Sequence, residues 1–191
     1  RHRTTLSHRR GTVVCSAAMD DLRYPIGPFD FKQPVAADAI RVAIDEIAAC
    51  PQALRNAVRG LDDKKLDTPY RDGGWTVRQV VNHVPESHMN AYIRIKLGLT
   101  EDRPTIKPYE ERLWSELPDA RGPIAPSLAL LDPLHERWVR VLRSMGEKDF
   151  QRVIFHPDNG EMTLGLVTLH YAWHGKHHVA HITSLRKRMA W

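Results

Sequence analysis

Apolar residues recur every three or four positions through four long stretches of this chain, and almost nowhere do they alternate. That spacing is the period of an α-helix, whereas half-buried strands need a period of two. The first stretch, residues 35–60, sets Ile40, Ile44, Ile47, Leu54 and Val58 on one face. Pro51 interrupts it and is expected to bend or split the helix, because proline lacks the N–H that an interior turn uses. The second, residues 76–99, opens on Thr76 with Gln79 three residues on, the pattern of a capping box. Val77, Val80, Val84, Ala91 and Ile95 share its inner face. The third, residues 127–145, turns Leu131, Leu134, Trp138, Val141 and Leu142 inward, and the fourth spans residues 163–189.

Turn residues fill the gaps. Asp67-Thr68-Pro69-Tyr70-Arg71-Asp72-Gly73-Gly74 separates the first two helices, and its Gly pair is too short to cradle a phosphate. Residues 100–125, with Pro104, Pro108, Pro118 and Pro123, read as an ordered but irregular crossover. A short extended or turn segment, Phe155-His156-Pro157-Asp158-Asn159-Gly160, precedes the last helix. The expected fold is therefore all-α, a four-helix bundle with a long crossover between the second and third helices. Trp114, Trp138 and Trp173 stand at helical positions and are expected in the core.

Charge narrows the function. The net charge of +5 is concentrated at the start, where residues 1–18 carry Arg1, Arg3, Arg9 and Arg10 and no acid, for +4. The remainder has 24 basic residues against 23 acidic ones, or +1, so no nucleic-acid partner is indicated. Residues 1–18 read as a disordered basic N-terminal extension ahead of Met19, in preference to a targeting segment. Residues 19–191 read as one domain. No apolar run approaches the roughly 18 residues that a membrane-spanning helix needs. Cys15 and Cys50 are isolated and suggest neither a disulfide framework nor a thiolate metal site, which fits a cytoplasmic protein.

Four of the 11 histidines fall within Trp173-His174-Gly175-Lys176-His177-His178-Val179-Ala180-His181. At about 100° per residue, with His174 at zero, the apolar face of the fourth helix lies at roughly 20° to 80°. Val167, Leu185, Tyr171, Met189, Leu164 and Ile182 make up that arc. His178 falls in its middle and His174 at its edge, while His181 and His177 fall on the shoulder. A shoulder histidine is ordinarily solvated, but two histidines four apart within an apolar stripe form half of a metal site. Burying both without partners would cost several kcal/mol. A third ligand has to come from another helix: His83 and His88 on the second are the main candidates, with Glu86 between them, and His135 and His170 are others. Helical phase leaves that choice open.

Three imidazoles with an open position are the pattern of a catalytic zinc centre, and nickel or iron would also accept them. The spacing of His174 and His178 is that of a zinc protease helix, but Gly175 stands where that motif needs its glutamate. Peptidase chemistry of that type is disfavoured.

Longer motifs carry a resemblance. Tyr24-Pro25-Ile26-Gly27, the run Asp67 to Val81, Ser87-His88-Met89-Asn90, Tyr109-Glu110, Trp114-Ser115-Glu116-Leu117, His135-Glu136-Arg137-Trp138, His156-Pro157 and the histidine cluster resemble the YfiT branch of the DinB-like superfamily. The resemblance runs from Tyr24 to Trp191. It implies a DinB-like four-helix bundle, a homodimer, and one divalent metal per subunit held by His83, His174 and His178. Zinc is the first expectation and nickel the second. Pro85 departs from the family's usual alanine and is expected to bend the second helix and re-aim His83.

The activity that the resemblance implies is metal-dependent hydrolysis of a small-molecule substrate. The wider superfamily adds transfer of a low-molecular-weight thiol, such as bacillithiol, to an electrophile. Glu86, His88 and His181 are the candidate catalytic bases, and no residue is singled out for binding a thiol cofactor. A non-catalytic bundle pinned by a structural metal is the competing expectation of a different class.

Overall fold

The structure, a computed structural model, describes residues 21–191. The expected extension at residues 1–18 lies outside the described residues. In chain order the elements are α1 (Ala37–Val58), α2 (Asp63–Leu66), α3 (Val77–Thr100), α4 (Glu111–Trp114), a 3₁₀ turn (Pro118–Arg121), α5 (Ala125–Ser144), α6 (Glu147–Phe150), β1 (Val153–His156), β2 (Gly160–Thr163) and α7 (Leu164–Met189). The long helices α1, α3, α5 and α7 make the bundle. α1 lies along α7 and α5, and α3 closes the other side against the same two.

Local chemistry sets the helix starts. Thr76 Oγ1 accepts from the Gln79 N–H at 3.1 Å, and Gln79 Oε1 accepts from the Thr76 N–H at 2.9 Å. This reciprocal pair satisfies two of the donors that a helix start leaves open. Thr163 caps α7 by accepting from Leu166 N–H at 3.1 Å. The segment before α7 is an antiparallel hairpin with Val153 opposite Thr163 and His156 opposite Gly160. Gly98 lets the hairpin and the start of α7 approach α3, since a Cβ there would stand 3.0 Å from Ile154 Cγ2 and 2.6 Å from Leu164 Cδ2.

Pro51 and Pro85, two of the three prolines inside helices among the described residues, break neither helix. α1 runs unbroken through Pro51, and α3 through Pro85. Pro51 does not split its helix because the carbonyl that it leaves unpaired, that of Ile47, accepts a side-chain hydrogen bond instead, 2.7 Å from His135 Nδ1. Pro85 is buried inside α3, and the helix carries His83 to the bundle interior despite it.

The apolar core forms two clusters. One holds Ile40, Ile44, Ile47, Ala91, Ile95, Trp138, Leu142 and Val167; the other holds Leu54, Val58, Val77, Val80, Val84, Leu131, Ile182 and Leu185. Each fully buried side chain of this size contributes about 1.5–3 kcal/mol. Trp138 is fully buried, while Trp114 and Trp173 are only partly so. Between the two clusters, at the middle of α3, α5 and α7, lies a layer of buried histidines.

Candidate metal centre

Each histidine in that layer sits where its helix passes from one apolar cluster to the other. On α3, Val80 and Val84 belong to one cluster and Ala91 and Ile95 to the other, with His83 and His88 between. On α7, Val167 and Tyr171 are followed by His174 and His178, and then by Ile182 and Leu185. The polar layer is thus flanked on both sides by water-excluding side chains, which makes each unpaired nitrogen costly.

His83, His174 and His178 converge, with one ring nitrogen of each within 4.8 Å of the other two. His83 and His178 are buried and His174 partly so. The Nε2 atoms of His83 and His174 face one another at 3.3 Å. Two nitrogens sharing a tetrahedral zinc at 2.0–2.1 Å stand about 3.3–3.4 Å apart, so the donor set fits such a cation. Burial holds the ring of His83 down to about 4 and pushes His174 and His178 well below the ordinary histidine value, with neighbouring imidazoles adding to the effect on the last two. All three rings are therefore neutral at physiological pH, the form a cation would need.

His88 and His181 are bonded directly to this group, and His135 to His88 behind it. His88 is fully buried, its Nε2 3.1 Å from His174 Nδ1 and its Nδ1 2.9 Å from His135 Nε2. His181 Nδ1 lies 3.4 Å from His178 Nδ1, and His181 Nε2 lies 3.0 Å from the Arg23 carbonyl. His170 stacks on Trp173, lies against Phe29 and Phe31, and meets the His174 ring edge-on at 6.4 Å.

The shoulder of α7 is not solvated as helical phase predicted. His177 and His181 are 7% and 3% exposed because the segment ahead of α1 and the loop ahead of α3 cross them. Tyr24 lies against His177, Tyr70 stacks on His181 at 3.9 Å, and the Gly27 carbonyl accepts from Trp173 Nε1 at 3.1 Å. Cys50 was also missed as part of a cluster. Its buried thiol stands with His88 and His135, brought close by Gly175, where a Cβ would come within 2.8 Å of Cys50 Sγ.

Of the candidate bases, Glu86 is half-buried, and burial followed by Asp119 raises its carboxyl. Ser87, on the next position of α3, points inward with its Oγ 3.3 Å from His174 Nε2. Tyr171 and Tyr109 lie beside Ser87, and burial raises both phenols and keeps them protonated. Arg94 donates to the Tyr171 hydroxyl at 3.1 Å. One side of the histidine triad therefore presents a wall of hydroxyl donors.

The sequence pattern of the DinB superfamily matches residues 46–182. This chain belongs to the DinB superfamily. Within it, a Bacillus cereus protein named "putative metal-dependent hydrolase" is 57% identical over 173 residues, covering 91% of this chain and all of the relative. A Bacillus anthracis protein of the same name is 56% identical over the same span. Among solved structures, YfiT from Bacillus subtilis superposes with a TM-score of 0.86 at 47% identity, covering 89% of this chain and 98% of its own. That protein is described as "a probable metal-dependent hydrolase with an unusual four-helix bundle topology". Among the described residues no helix is long and apolar enough to cross a membrane.

Proposed function

We propose that this chain is a metal-dependent hydrolase of small molecules, with His83, His174 and His178 holding one divalent cation, zinc before nickel. The observation that carries the reading is the meeting of three neutral imidazole nitrogens in a layer from which water is otherwise excluded. A cation bound there supplies Lewis acidity and makes water nucleophilic near neutral pH.

The chain's own groups do the rest. His174 is the ligand nearest solvent, so substrate enters on its side, where Ser87, Tyr109 and Tyr171 offer hydroxyl donors to a polarised oxygen. Arg94, by donating to Tyr171, leaves the Tyr171 proton free to be donated onward. Glu86, whose carboxyl burial raises above the ordinary carboxylate value, is the candidate for exchanging a proton.

Metal analysis of the purified chain, followed by a panel of esters and amides with and without chelator, tests this reading. Chelator-sensitive turnover that is lost in His178→Ala is expected. Full activity in the chelated protein would overturn it. A second reading, transfer of a low-molecular-weight thiol, draws on the donor set, which among the described residues contains histidine and no carboxylate. A thiol held by the cation needs no protein base. Consumption of an electrophile such as monochlorobimane only when a thiol cofactor is supplied, with no hydrolysis of the panel, would favour that reading over the first.

A further inference from the structure

The histidines behind His174 form a chain whose proton positions are fixed from one end. Pro51 has no N–H, so it leaves the carbonyl of Ile47, four residues earlier in α1, without its helical donor. His135 Nδ1 lies 2.7 Å from that oxygen. A carbonyl only accepts, so His135 carries its proton on Nδ1 and presents a bare Nε2. His88 Nδ1, 2.9 Å away, must then be the donor, which leaves His88 Nε2 bare. His174 Nδ1, 3.1 Å from that atom, must donate in turn. The lone pair of His174 is left on Nε2, the atom facing His83. Each step needs a neutral ring with a single proton, the form that enclosure of His88 and His135 in the apolar core favours.

We propose that Pro51, His135 and His88 form a positioning relay that fixes the tautomer and ring orientation of His174 as a metal ligand. The inference rests on the metal reading above and names residues that touch no metal. It also accounts for the cluster of Cys50, His88 and His135. Those imidazoles are close enough to bind a second cation, but all four of their nitrogens are already paired along the chain. Burial pushes the Cys50 thiol up to about 12, so no thiolate stands ready there.

Nitrogen-15 NMR of the full chain loaded with zinc provides the first test. Both His88 and His135 are expected to be protonated on Nδ1, the minority tautomer of a free imidazole, with a coupling across the bond from His88 Nδ1 to His135 Nε2. Protonation of either ring on Nε2 would overturn the relay. His135→Phe provides the second test, because it keeps an aromatic ring but removes the acceptor that fixes His88. Zinc affinity, read by chelator competition, is expected to fall about 10–100-fold. Val139→Ala, one turn further along α5 in the same core and off the relay, is expected to stay within about threefold of the parent, as a purely packing effect would. Equal losses in the two variants would overturn the proposal, as would two cobalt ions per chain with a thiolate-to-cobalt charge-transfer band from Cys50. Failure of the parent chain to take up zinc would sink the metal reading itself, whereas zinc uptake with His88 protonated on Nε2 would sink only the relay.

Discussion

His83 and His174 face one another across the same centre but are held in opposite ways. Behind His174 stands a chain of two more histidines that ends on a backbone carbonyl of α1. His178 has a shorter version, through His181 to the Arg23 carbonyl. His83 has nothing comparable: its Nδ1 is buried with no hydrogen-bond partner among the described residues, and the Trp75 ring packs against it at 4.7 Å. The α7 histidines are therefore oriented by hydrogen bonds from behind, whereas His83 has only packing behind it and its Nε2 contact to His174 across the centre. A hydrogen bond fixes which nitrogen carries the proton, and packing does not. In the proposed centre the α7 side is the preorganised half, and His83 is the half that a cation would have to order.

The largest expected effect comes from removing an α7 ligand. His174→Ala or His178→Ala leaves two nitrogens, and zinc affinity should fall at least about a hundredfold, well beyond the loss from a supporting partner. Equilibrium dialysis or chelator competition measures this. Both variants should still melt cooperatively, because the two apolar clusters flank the histidine layer without depending on it. Retention of tight zinc in either variant would break the assignment of α7 as the preorganised half.

Acid probes the supporting histidines directly. His135 and His181 sit at about 4 in the folded chain because of burial, against about 6.5 when unfolded. Between those values the unfolded chain binds more protons than the folded one, so stability is complete above pH 6.5 and is lost as pH falls toward 4. For metal-free protein the loss is roughly 1 kcal/mol per pH unit for each such ring. A melting temperature independent of pH across that window would mean that these rings are not held neutral.

What the sequence disclosed follows the same division. Periodicity revealed the four long helices, because each buries one face and writes that face into its own residues. The capping box at Thr76 and Gln79 was legible for the same reason, being local. The pairing of His174 with His178 is also a property of one helix. Phase on one helix says nothing about another, so it could not choose between His83 and His88, which both prove buried. Nor could it foresee that distant loop residues such as Tyr24 and Tyr70 would cover His177 and His181. The link between Pro51 and His135 joins residues far apart in the chain through a carbonyl that no side-chain pattern records.

Removing the packing on His83 should have a smaller effect than removing a ligand. Trp75→Ala takes away the ring against His83 and should weaken zinc about tenfold, at a stability cost of about 2 kcal/mol because Trp75 is only partly buried. The His83 ring should then be mobile in the metal-free chain, seen as averaged nitrogen-15 ring signals, while His174 keeps its proton on Nδ1. A His83 ring as well ordered in that variant as in the parent would mean that Trp75 does not hold it, and would erase the contrast between the two halves.

The smallest effect is the most discriminating. Pro51→Ala returns an N–H to the position four residues after Ile47, which can reclaim that carbonyl for the helix. The regained bond adds ~1 kcal/mol, and the greater freedom of the unfolded chain offsets much of it, so thermal stability should be unchanged or slightly higher. Metal binding should move the other way, weakening by about threefold, as the carbonyl divides between the helix and His135 and the relay loosens at its fixed end. Few substitutions improve a helix while weakening a metal site some distance along a chain of side chains, and general destabilisation cannot produce that pair of signs. If Pro51→Ala instead leaves zinc affinity unchanged, the Ile47 carbonyl accepts both donors without loss. The proline is then merely tolerated in α1, and the relay is anchored by His135 alone.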